Sequence, residues 1–153
     1  MIYLDSAATS FQKPVSVGLA VGRALASLSS PGRGGYEAAL LASDTLLECR
    51  LALQRFFHVP EPEDVIFTLN ATHALNIAIR SLVPPGGRVA LSGWEHNAVT
   101  RPLHALGAEL RIARGQLFDD AAFLADWEKA LGEGADAAVC TQVSNVFGWA
   151  LPI

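Results

Sequence analysis

Between Val65 and Thr141 the sequence alternates short apolar runs with amphipathic stretches, and nothing else in it restricts the fold so tightly. Val65-Ile66-Phe67-Thr68-Leu69 predicts a continuously apolar strand, and Thr72 to Leu82 a helix ended by Pro84-Pro85-Gly86-Gly87. Arg88 to Ser92 predicts a second strand, Val99 to Leu106 a helix closed by Gly107, and Ala108 to Ala113 a third strand. Asp119-Asp120 puts carboxylates at the positive end of the next helix. Phe123, Trp127 and Leu131 recur every four residues along it, Gly132 and Gly134 end it, and Asp136 to Thr141 forms a fourth strand. Runs without alternation, such as Val65–Leu69 and Ala137–Cys140, fit burial on both sides. The order β-α-β-α-β-α-β predicts an α/β fold, a mainly parallel sheet with helices on both faces.

Ahead of this region, Met1 to Thr9 is a short apolar piece running into the polar turn Asp5-Ser6. Pro14 suits the opening of a helix that runs to about Leu28 and stops at Ser29-Ser30-Pro31-Gly32. A loop through Arg33, Gly34 and Gly35 leads to a long helix from about Tyr36 to Phe57. On it Leu46, Leu53 and Phe57 share one face, with Asp44, Glu48 and Arg55 opposite.

The chain has 153 residues, 51% of them apolar and only 17% charged, which argues against disorder. Such a composition implies either deep burial or a surface meant for something else. A net charge of −4 gives no reason to expect nucleic acid. No apolar run is long enough for a membrane helix, and Asp5 interrupts any signal peptide. Cys49 and Cys140 form no disulfide framework and read as packing residues. The four histidines lack metal-ligand spacing. The expectation is a cytoplasmic, globular and incomplete chain with no membrane or nucleic-acid partner.

In open parallel sheets, ligands bind beyond the carboxyl ends of the strands. Three loops follow predicted strands there: Asn70–His73, Gly93–Asn97 and Ser144–Gly148. In the first, the main-chain N–H groups of Ala71, Thr72 and His73 and the Thr72 hydroxyl make an anion site at a helix N-terminus. The competing explanation is an ordinary cap by Asn70 or Thr72, and for this loop alone it is the better one. In the second, His96 suits stacking on a flat ligand or proton transfer, against a loop imidazole bonded to a carbonyl. In the third, Asn145 offers a carboxamide donor, against a turn-forming asparagine before Gly148.

Taken in order, YLDSAAT (3–9), KP (13–14), PGRGG (31–35), VIFTLNATHALN (65–76), EHNAVTRP (95–102), SNVFG (144–148) and the closing LPI (151–153) resemble the N-terminal part of class V aminotransferase-type enzymes. Within that group the chain is most similar to the cysteine desulfurase and selenocysteine lyase branch. The resemblance implies an incomplete fold-type I large domain that binds pyridoxal 5'-phosphate. Residues 1–30 would be an N-terminal arm and helix, and 31–153 the first part of the cofactor domain. It implies that Ala71, Thr72 and His73 hold the cofactor phosphate, and that His96 stacks on the ring and serves in proton transfer. Asn145 would bond the phenolic oxygen, Ala7 and Ala8 lie near the substrate carboxylate, and Arg33 approach the neighbouring subunit's site in a homodimer. The implied activity is cleavage of the C–S or C–Se bond of cysteine or selenocysteine, giving alanine and enzyme-bound sulfur for an acceptor protein.

The chain departs from the family in three respects. Ser6 stands where asparagine is common, and His73 where glutamate is usual. The two lysines, Lys13 and Lys129, lack the Ser-x-His-Lys context of the Schiff-base lysine. The expectation is a fragment truncated before that lysine and inactive by itself. The alternatives are a catalytically silent fold, a phosphate-ligand-binding domain, or another class V activity.

Overall fold

The computed structural model describes residues 2–132 and 134–153. They form two units, the first running to Phe67 and the second spanning Thr68–Ile153.

The second unit is built on β1 (Arg88–Ser92), which pairs in parallel with β2 (Glu109–Ala113) on one side and β3 (Ala137–Val139) on the other. Val89 is in register with Leu110 and Ala137, and Leu91 with Ile112 and Val139. As the central strand, β1 buries Val89, Ala90, Leu91 and Ser92. Successive side chains point to opposite faces. Val89 and Leu91 therefore join one core, with Ile79 of α3 (Ala71–Leu82) and Val99 and Leu103 of α4 (Asn97–Ala105). Ala90 joins the other, with Phe123 and Ala130 of α5 (Asp120–Gly132) and with Trp149 and Leu151. Helices thus cover both faces of a parallel sheet, as the strand-helix alternation predicts.

Phe123 is fully buried, a burial that contributes about 1.5–3 kcal/mol. Trp127 stacks on it, with ring centroids 6.0 Å apart and planes 16° from parallel. Gly115 lets the β2–α5 turn lie against the start of α5. Its φ is +58°, and a Cβ there would come 2.7 Å from the Phe123 backbone nitrogen. Asp126 fixes the same turn by accepting the N–H groups of Arg114 and Gly115 at 3.3 and 2.9 Å.

One predicted strand does not form. Val65–Leu69 carries no ladder, and Ile66 and Leu69 are 75% and 88% exposed. β-branched and apolar residues suit a pleated surface, but a strand forms only where a neighbouring strand offers ladder partners to their backbone groups. Among the described residues none does so.

In the first unit, α1 (Val15–Ser27) follows Pro14 and buries none of its residues. α2 (Glu37–Phe57) ends on His58 in the left-handed conformation. Its buried residues are Ala39 and Ala42, while Phe57, expected on an apolar packed face, is largely exposed. Small side chains, not the large apolar stripe, mark where this helix is covered. The glycine loop is tied to α2: the Gly32 N–H donates to Ser43 Oγ at 3.1 Å, and the Ser29 N–H to the Ala38 carbonyl at 3.2 Å. Gly32 has φ +72°, which its lack of a side chain allows. Among the described residues no helix is long and apolar enough to cross a membrane.

Candidate functional site

α3 starts where Asn70, in an extended conformation, turns the chain into the helix. Its Oδ1 accepts the His73 N–H at 2.9 Å, and its carbonyl accepts the Ala74 N–H at 3.1 Å. The expected asparagine cap is therefore present, but it uses only one donor of the first turn. The N–H groups of Ala71 and Thr72 remain open among the described residues, at the positive end of the helix dipole. A ligand that also used the His73 N–H would first have to displace Asn70.

Thr72 and His96 line the same cleft, a cavity of about 420 Å³ between α3 and α4. His96 caps α4: its Nδ1 accepts the Ala98 N–H at 3.0 Å and its carbonyl the Val99 N–H at 2.9 Å. A neutral imidazole that accepts through Nδ1 carries its proton on Nε2. Nε2 is thus the ring position left for donating or exchanging a proton.

The residue before it was missed by sequence reasoning. Glu95 accepts the Ser92 hydroxyl at 2.7 Å and, through the same Oε1, the Thr141 N–H. It ties the loop after β1 to the chain leaving β3. Nothing in the linear sequence signals this, because Glu95 and Thr141 are neighbours only once both strands lie in one sheet. Trp94 adds a second link: its indole N–H donates to the Arg114 carbonyl at 2.9 Å, and its ring meets Phe147 edge-on at 5.2 Å.

That contact joins the loop of His96 to the loop of Asn145, both at the carboxyl edge of the parallel sheet. Asn145 is exposed, in a turn closed by the Gly148 N–H donating to the Ser144 carbonyl at 2.8 Å. It does not line the α3–α4 cleft. His73 is exposed on the first turn of α3 and is likewise not among the residues lining the cleft.

Ala7, Ala8 and Arg33 belong to the first unit. Ala7 and Ala8 sit in a turn where the N–H of Ala8 donates to the Asp5 carbonyl at 3.1 Å. The Tyr3 hydroxyl holds the same segment through the carbonyls of Asp5 and Thr9, at 3.0 and 2.8 Å. Arg33 is exposed on the glycine loop.

Burial pushes the Cys140 thiol up to about 11, the Glu95 carboxylate adds to the shift, and a hydrogen bond with Ser92 opposes it. At neutral pH it is a protonated, unreactive thiol, in keeping with a packing residue. Lys13 donates to the Ser10 carbonyl at 2.8 Å. Lys129 lines a separate cleft formed by β2 and α5, with Asp126.

A sequence-family model described as aminotransferase class-V matches residues 2–153. A probable cysteine desulfurase of Halalkalibacterium halodurans is 32% identical over 162 residues, which cover 100% of this chain and 39% of that protein. A cysteine desulfurase of Dickeya dadantii is 30% identical over 166 residues, with the same coverage, 100% and 39%. The chain therefore spans about 39% of the length of these relatives. The crystal structure of the cysteine desulfurase CsdA, in its S-sulfonic acid form, from Escherichia coli superposes with a TM-score of 0.71 at 22% identity. It covers 98% of this chain and 39% of its own. At that identity the likeness shows the fold, and the fold is the α/β class expected from sequence.

Proposed function

Since the chain belongs to the class V aminotransferase family, we propose that it supplies the phosphate- and ring-holding part of a pyridoxal 5'-phosphate enzyme of the cysteine desulfurase and selenocysteine lyase branch. The parent activity is C–S or C–Se cleavage of cysteine or selenocysteine to alanine, in a homodimer that passes sulfur to an acceptor. One observation carries this reading: Thr72, beside the open N–H groups of the α3 N-terminus, lines one cleft with His96. An anion site and a flat-ring platform at one mouth fit a phosphorylated pyridine.

The residues divide the work as follows. The Ala71 and Thr72 N–H groups and the Thr72 hydroxyl bind the phosphate, and the His73 N–H joins them when Asn70 releases it. His96 covers the ring and holds a proton at Nε2, its Nδ1 being fixed by Ala98. The Asn145 amide donates to the phenolic oxygen. The Ala7-Ala8 backbone lies by the substrate carboxylate, and Arg33 reaches toward the neighbouring subunit's site. Pyridoxal phosphate, when bound, supplies an electron sink for charge developing at the substrate α-carbon. The chain alone is catalytically silent, because the only lysine of the second unit, Lys129, lines a cleft other than that of Thr72 and His96.

Titration of the full chain with pyridoxal phosphate, followed by amide NMR, tests the reading. Saturable shifts are expected at Ala71, Thr72 and Ala98. Thr72→Val should weaken binding about tenfold, the loss of one hydrogen bond to a charged group. The reading fails if those amides do not move, or if a nucleotide saturates them where pyridoxal phosphate does not.

A further inference from the structure

We infer that Arg80 and Arg101 form a second oxyanion subsite in the α3–α4 cleft, one that takes the carboxylate or phosphate group of a small ligand. Both line the cleft that Thr72 and His96 open onto, and all of it lies within the second unit. On α3, Thr72 and Arg80 both line the cleft and, eight residues apart, stand about 12 Å from each other along the axis. On α4, Asn97 and Arg101 share a face.

The two helices run in the same direction. Their C-terminal ends meet where the Gly86 N–H, just after α3, donates to the Leu106 carbonyl at 3.0 Å. Arg80 and Arg101 therefore stand farther from the N-terminal mouth of the cleft than Thr72 and His96 do.

Charge is the second part of the argument. Among the described residues no carboxylate lines this cleft. The ion pairs among the described residues are Arg88 with Asp136 and Arg111 with Glu109. Arg80 and Arg101 are in neither, although the chain carries four more acidic than basic side chains. Placing Arg80 in the last turn of α3 complements the helix dipole, which accounts for that residue alone. Arg101 lies in the middle of α4, where the dipole gives no reason for a cation. Both side chains are exposed, and an anion held in this cleft can accept N–H donors from both guanidinium groups. Asn97 adds a carboxamide, as does Asn76, which donates one of its two amide N–H groups to the Thr72 carbonyl at 2.9 Å. A cavity of about 420 Å³ falls in the range that holds small ligands, roughly 300–1,000 Å³.

This subsite uses none of the donors assigned to the cofactor phosphate, so it stands or falls separately. The test is a titration of the full chain with inorganic phosphate and, in a second arm, succinate, each against chloride at matched ionic strength. The readout is the side-chain Nε–Hε NMR signals of Arg80 and Arg101. Both signals should follow one saturable curve, and Arg80→Gln and Arg101→Gln should each weaken it about tenfold. Thr72→Val should leave that curve in place while weakening the response of the Ala71 amide. The tighter of the two probes identifies the ligand group as phosphate or carboxylate. The inference is overturned if chloride gives the same shifts, or if Arg33 and Arg55 respond equally. It is also overturned if either glutamine variant changes the affinity less than twofold, or if the shifts follow self-association in sedimentation instead of probe concentration.

Discussion

Cys140 and His96 illustrate how little of a side chain's chemistry is fixed by its identity. The Cys140 thiol is raised from 9.0 to about 11, mainly because burial penalises the thiolate. The protonated form is therefore favoured by folding. The contribution is complete below the unfolded-state value and is lost as pH climbs from about 9 toward about 11. We expect the stability of the second unit to fall across that window in urea titrations, and Cys140→Ala to flatten the fall. Alkylation at neutral pH should label the exposed Cys49 well before Cys140. The sequence makes His96 a candidate through the loop it sits on, but it does not give the tautomer. That depends on a contact with the Ala98 N–H, which exists only once α4 has formed.

Among the elements, those of the second unit follow the sequence closely wherever local pattern and tertiary neighbours agree. β1 covers Arg88–Ser92 as expected, and α3 begins one residue before the expected Thr72 because Asn70 caps it. β3 is shorter than the apolar run that predicts it, Ala137–Val139 against Asp136–Thr141. The Asp136 carboxylate instead accepts the Arg88 N–H at 2.8 Å, and Glu95 takes the Thr141 N–H. At the Asp136 end a main-chain bond to the Arg88 carbonyl remains beside the side-chain one, whereas at the other end a side chain takes the Thr141 N–H. Glu95 therefore matters to the sheet as much as to the loop it sits on. Glu95→Ala strands the Thr141 N–H and the Ser92 hydroxyl, and should destabilise the second unit by about 2–3 kcal/mol. Denaturant unfolding would measure the loss, and the Thr141 amide should exchange with solvent much faster than in the parent.

At the scale of the whole molecule, the proposed division of labour predicts that no lysine becomes covalently linked to pyridoxal phosphate. Borohydride treatment of the full chain with the cofactor, followed by peptide mapping, should leave Lys13 and Lys129 unmodified; a stoichiometric adduct at either would refute catalytic silence. The high apolar content also finds its place here, since α1 buries nothing and Ile66, Leu69 and Phe56 stand largely exposed. What the sequence settled by itself was local: periodicity, capping residues and turn formers decide helix against strand through interactions between near neighbours in the chain. It also revealed family membership, because motif order survives in one dimension. Tertiary structure alone decided which residues meet across strands. Whether Val65–Leu69 becomes a strand, whether Glu95 reaches Thr141, and whether Arg80 and Arg101 share a cleft all depend on partners distant in sequence. Hydrogen bonds and charge are satisfied by proximity in space, which no spacing along the chain encodes.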